Sequence, residues 1–203
     1  MSRSRNTEKE SVWAALRIAR DEEGEPCLPR IVARKPRCGD FHPLPKSLLV
    51  RALKDVPLEY LYGLSAIELR ARQGNKVGDP YGLYRPRDKV IILYSVPKLW
   101  VFDTMAEDYP KYLQRFGARV SQHGRQWHVY WPSRAGLAVW FFQDVVTHEL
   151  GHHFAEQYKN KRSRIQGRRF REMDAELRSF RVAREVFARL RKHRKARQAQ
   201  EGK

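Results

Sequence analysis

Residues 135–158 read AGLAVWFFQDVVTHELGHHFAEQY, and at their centre His148-Glu149-Leu150-Gly151-His152 spells an HExxH motif. Histidines four apart lie one above the other on one face of an α-helix, where both imidazoles reach a single Zn²⁺ at ~2.0–2.1 Å. Glu149 stands about 100° round the helix, close enough to take a proton from a water at the metal without binding the metal itself. The residues before the motif decide that this is a helix. Leu137, Val139, Trp140, Phe141, Phe142, Val145 and Val146 are apolar almost all round, as in a helix buried on most sides. One buried histidine is ordinarily a satisfied core residue, but two at this spacing around a glutamate point to a metal centre.

The motif resembles that of the zincin metallopeptidases, and the residues after it narrow the resemblance. Two histidines leave a tetrahedral catalytic zinc one protein ligand short. Twenty residues past His152 comes Glu172, within Arg171-Glu172-Met173-Asp174-Ala175-Glu176. This is similar to the gluzincin arrangement, in which a second helix supplies a glutamate and another acidic residue follows one turn later. Minimal cytoplasmic metallopeptidases of the ImmA/IrrE-like kind share this E-x-x-A-acidic pattern. The resemblance implies Glu172 as third ligand, with Glu176 holding the far nitrogen of a ligand imidazole. Asp174 and Glu176 stay open as alternative ligands, because spacing alone does not fix the register. Glu156 is set aside: three consecutive turns span ~11–12 Å, too far for three side chains to meet at one ion. His153 points ~100° away from His152 and reads as a packing or supporting residue.

The resemblance further implies an α+β fold of the minimal zincin kind. Its parts are a small, mostly antiparallel sheet, a buried HExxH helix and a C-terminal helix bearing the third ligand. It also implies one Zn²⁺ per chain and a protein or peptide substrate. Glu149 would act as general base and pass its proton to the leaving amine. Tyr130, His128 and His123 are candidate donors to the developing oxyanion, with no motif to choose among them.

Upstream of the helix, Ala118–Ser121 and Gln126–Trp131 flank His123-Gly124 and read as a β-hairpin. In zincins this position belongs to the edge strand on which an extended substrate lies, a mode that uses backbone hydrogen bonds. Trp127, Val129 and Trp131 would face one side, with Trp127 and Trp131 in the core. Thr104 to Phe116 carries a rough helical stripe, which Pro110 interrupts. Further back, Pro45 to Val56 has Leu48, Leu49, Ala52, Leu53 and Val56 at helical spacing, and Pro57 stops it. Strands are expected at Leu64–Arg72, Tyr81–Tyr84 and Val90–Tyr94, with a turn at Gly74-Asn75. Residues 1–40 are expected to form an N-terminal extension, 41–190 the zincin-like metallopeptidase domain and 191–203 a basic tail. In the extension, Thr7 to Glu10 resembles a helix-capping box, although the flanking apolar segments would also suit a hairpin.

After the motif, Phe170, Met173, Leu177, Phe180, Ala183, Phe187 and Leu190 mark an amphipathic helix that delivers Glu172 from its first turns. Charge concentrates here. The chain has 41 Lys+Arg against 23 Asp+Glu, a net +18, and residues 159–203 hold 17 basic and 5 acidic residues, or +12 of it. Such a segment suits an anionic partner, nucleic acid first, through Arg168, Arg169, Arg191, Lys192, Arg194, Lys195 and Arg197. The rival reading is a nucleic-acid-binding protein whose zincin core is structural or inactive. A third joins the two, a peptidase recruited to nucleic acid in the manner of SprT-like proteins, whose third ligand is usually histidine and whose zinc ribbon this chain lacks. Cys27 and Cys38, in a chain with no secretory leader, read as reduced thiols rather than a disulfide. With His42 they match no usual zinc spacing. No apolar run nears the ~20 residues of a membrane span, and the chain reads as cytoplasmic.

Overall fold

In the computed structural model, residues 28–73 and 79–157 are described, together with every position from 172 to 188 except 174, 180, 185 and 187. The expected turn at Gly74-Asn75, the elements expected before residue 28, Asp174 and the basic residues 168, 169, 191, 192, 194, 195 and 197 lie outside the described residues.

The strands that read most clearly as buried are central. Strand β3 (Ala66–Arg70) and strand β5 (Val90–Tyr94) pair in parallel with Ile67 opposite Ile91, and both isoleucines are fully buried. On one side β3 pairs in parallel with β1 (Arg30–Ala33); on the other, β5 pairs antiparallel with β4 (Gly82–Arg85). The sheet order is therefore β1-β3-β5-β4. Parallel neighbours need a crossover. Helix α1 (Lys46–Leu53), which buries Leu49 and Leu53, and the single turn α2 (Leu58–Leu61) supply it between β1 and β3. Pro45 and Pro57 stand immediately before these helices, where a missing N–H costs nothing. β1 falls within the segment expected as an N-terminal extension, yet it is a strand of this sheet with Ile31 in the core.

A second sheet has three antiparallel strands in the order β7-β9-β8, from β7 (Leu99–Phe102), β8 (Arg119–His123) and β9 (Gln126–Tyr130). Strands β2 (Asp40–Phe41) and β6 (Val96–Pro97) form a short antiparallel pair. The architecture is thus α+β with small sheets. Among the described residues, antiparallel pairing accounts for four of the six strand pairs, but the sheet beside the HExxH helix is parallel in two of its three. The expectation of one mostly antiparallel sheet is corrected accordingly.

The β8–β9 hairpin forms where expected, turning through Gly124 at a φ of 62°. The assignment of its second strand, β9, as a sheet edge does not hold. β7, which follows Pro97 and carries no turn signal, pairs with the other side of β9 and leaves it in the middle. The helix expected from Thr104 begins only at Tyr109, as α3 (Tyr109–Gln114), because Pro110 can occupy no more than its first turn.

Three indoles join the layers. Trp100 of β7 and Trp131, just after β9, pack on Trp140 of the long helix with ring centroids 5.3 and 5.9 Å away, and Tyr81 stacks on Trp100 at 5.2 Å. Aromatic contacts at these separations favour offset and edge geometries, so they orient the helix as well as bury area.

Candidate metal centre

The long helix has three parts: α4 (Arg134–Trp140), a π-helical stretch (Phe141–Val146) and α5 (Thr147–Gln157). The Ser133 hydroxyl caps its start by accepting from the Ala135 N–H at 3.2 Å. Leu137, Trp140, Phe141, Val146 and Leu150 are buried in the core, as the apolar sequence predicted. The π-helical widening directly before the motif was not expected, and such bulges recur at functional sites.

On α5 the two histidines present their Nε2 atoms to each other at 3.0 Å. The Glu172 Oε2 lies 3.4 Å from His148 Nε2 and 3.3 Å from His152 Nε2. A tetrahedral zinc with bonds of ~2.0–2.1 Å requires ligand atoms about 3.3–3.4 Å apart; the two separations to Glu172 match this and the His–His one is shorter, so the group is of a size that could hold a metal ion. Among the described residues, this is the one group of three or more His, Cys, Asp or Glu side chains close enough to hold a metal ion. The structure thus brings together the three ligands expected from sequence and leaves Glu156 and Glu176 outside the cluster. Glu176 is exposed, and its backbone carbonyl accepts from the Ser179 hydroxyl at 2.7 Å.

Glu172 arrives on helix α6, which comprises the described positions from 172 to 188, all helical. Of the expected stripe, Phe170, Phe180, Phe187 and Leu190 lie outside the described residues; Ala183 is buried as expected, and Met173 and Leu177 are not. Ala175, Ser179, Val182, Ala183 and Val186 are buried, whereas Met173 and Leu177 are 49% and 67% exposed. The reason is positional: turning Glu172 toward the histidines puts residues three, seven, ten and fourteen later on the same side. Met173 and Leu177 then fall off that face.

Glu149 is only 6% exposed, and its Oε2 accepts from the Tyr84 N–H of β4 at 2.7 Å. Burial pushes its pKa up to about 7; the Tyr84 N–H opposes the rise and the Glu172 charge adds to it. His153 is fully buried. It accepts at Nδ1 from the Tyr84 hydroxyl at 3.1 Å and donates from Nε2 to the Tyr62 carbonyl at 2.9 Å. Burial lowers its pKa, against the effect of the Tyr62 carbonyl and with that of Lys89.

The three candidate oxyanion donors belong to the other sheet. His123 and His128 pack against each other at a tilt of 40° with centroids 4.7 Å apart, His123 Nε2 lies 3.1 Å from Ser121 Oγ, and Tyr130 is exposed. Neither histidine belongs to the metal-sized cluster. The residues that sequence reading missed are Gly82, Tyr84 and Asp144. Asp144 accepts from the Tyr112 hydroxyl at 2.5 Å, and Tyr112 lies on α3, far away in sequence. The legible signal was the glycine that opens an otherwise alternating strand.

Comparison with models of known protein families, with curated proteins and with solved structures finds no match.

Proposed function

We propose that the chain is a zinc-dependent metallopeptidase of the minimal zincin kind, with His148, His152 and Glu172 as ligands and Glu149 as the proton carrier. The observation that carries this reading is the triad itself, three ligand atoms 3.0, 3.3 and 3.4 Å apart with a buried glutamate at the next position of the same helix. Side chains of the triad are partly exposed, so water and substrate have access. Zinc would supply a Lewis acid there, polarising a carbonyl and acidifying water. Glu149 then takes the proton of the attacking water and returns it to the leaving amine. β9 is paired on both sides, so an extended peptide does not add beside it. Zinc-loaded protein should cleave an unfolded substrate such as denatured casein. Glu149→Gln should lower cleavage by ~10²–10⁴-fold while keeping the metal. Wild-type protein that holds zinc and cleaves nothing would count against the peptidase reading.

The charge of residues 159–203, a net +12, favours recruitment of this activity to nucleic acid. The rival, a nucleic-acid-binding protein with an inactive zinc core, is favoured if binding is strong and salt-sensitive but no hydrolysis accompanies it.

A further inference from the structure

Strand β4 meets α5 through its backbone. The Tyr94 N–H donates to the Tyr81 carbonyl at 2.9 Å, so position 81 faces β5. Alternation along an antiparallel strand then turns the main-chain groups of Gly82 and Tyr84 away from β5. That outward Tyr84 N–H is the one that reaches Glu149 Oε2 at 2.7 Å.

The second carboxylate oxygen lies beside Gly82. An ideal Cβ on Gly82 would stand 2.9 Å from Glu149 Oε1, 2.9 Å from Glu149 Cγ and 2.8 Å from Val145 Cγ1. Gly82 is not among the glycines with positive φ, so its backbone conformation would admit a side chain. Space is what excludes one. Tyr84 is itself anchored, because its hydroxyl donates to His153, one turn beyond Glu149, and His153 donates to the Tyr62 carbonyl. One residue of β4 therefore grips α5 at two successive turns, by its amide at Glu149 and by its phenol at His153.

We propose that β4 is the seat of the Glu149 carboxylate: the Tyr84 amide holds Oε2, the bare Gly82 keeps Oε1 open, and both residues thereby position the group that moves the proton. This rests on the reading of Glu149 as proton carrier at a metal centre. A carboxylate held by one oxygen keeps lone pairs on the other for a proton, and a fixed N–H donor spares it reorganisation. Gly82 and Tyr84 are positioning residues, since they act through Glu149.

The test combines one variant with one spectroscopic signature. Gly82→Ala in the full-length, zinc-loaded protein should keep the metal and lower kcat on denatured casein about a hundredfold with KM little changed. The amide proton of Tyr84, observed by ¹H–¹⁵N NMR, should resonate far downfield in wild type and move upfield in Glu149→Gln, because a charge-assisted bond has become a neutral one. A structural role alone would not move that resonance on an isosteric change. A Tyr84 amide that ignores Glu149→Gln, or full kcat in Gly82→Ala, overturns the seat. If Gly82→Ala does not fold, the amide shift decides alone. If wild type holds zinc and cleaves nothing, the peptidase reading fails and the amide shift still decides the seat.

Discussion

A Cβ on Gly151 would stand 2.5 Å from the carbonyl oxygen of Ala175, so α5 and α6 meet backbone to backbone between the two ligand histidines. No other residue type permits that approach. The crossing sets how far Glu172, one turn before Ala175, can reach toward His148 and His152. Gly151→Ala should therefore separate the helices, cost about 1–3 kcal/mol of stability, and weaken zinc binding ~10–100-fold, as displaced supporting residues do. Chelator competition on the purified variant measures this. Unchanged affinity would mean that Glu172 does not depend on the crossing.

Acidification should distinguish Asp144 from its amide. Burial raises the Asp144 pKa above its usual value, and the Tyr112 hydroxyl bond opposes the rise without cancelling it. The folded state then binds more protons than the unfolded one between the ordinary carboxylate pKa and the raised one. Stability from this group is present below that window and is lost as pH climbs through it. Asp144→Asn, which keeps an acceptor for Tyr112, should be at least as stable as wild type at pH 7. Its advantage should shrink as pH falls toward 4. Thermal melts of both proteins across that range check the sign, and a gap that widens on acidification would contradict it.

How much of this was legible beforehand depended on whether the decisive contacts were local. The HExxH spacing and the apolar run before it belong to one helix, so sequence alone placed His148, Glu149, His152 and the buried face. Glu172 was reached through the E-x-x-A pattern, and the structure gives that alanine its reason, since Ala175 is the residue Gly151 meets. Met173 and Leu177 of the expected stripe are exposed although they are the more apolar choice, because the direction of Glu172 and the small-residue crossing at Ala175 fix the inward side. Tyr84 and Asp144 were invisible for another reason. Their partners lie 65 and 32 residues away, and no periodicity reports on pairings made by sheet order. The edge position of β9 failed likewise, because a strand becomes central only when a remote one joins it.

The basic segment should be separable from the metal site. Removing residues 192–203 takes away Lys192, Arg194, Lys195, Arg197 and Lys203 and none of the ligands. The shortened chain should keep its zinc and bind duplex DNA less tightly with a shallower salt dependence, the log–log slope being about −0.9 per phosphate neutralised. Filter binding or anisotropy at several salt concentrations reads both. No salt-sensitive binding by the full-length protein at low ionic strength would remove nucleic acid as partner and leave the peptidase reading standing.

The most direct measurement is zinc stoichiometry in the full-length protein and its ligand variants at neutral pH, by elemental analysis after dialysis against trace zinc. Wild type should retain one zinc per chain, His148→Ala and His152→Ala essentially none, Glu172→Ala a weakened fraction, and Glu149→Gln the full complement. A wild-type chain that takes up no zinc, or a Glu149→Gln variant that loses it as completely as the histidine variants, would contradict the account.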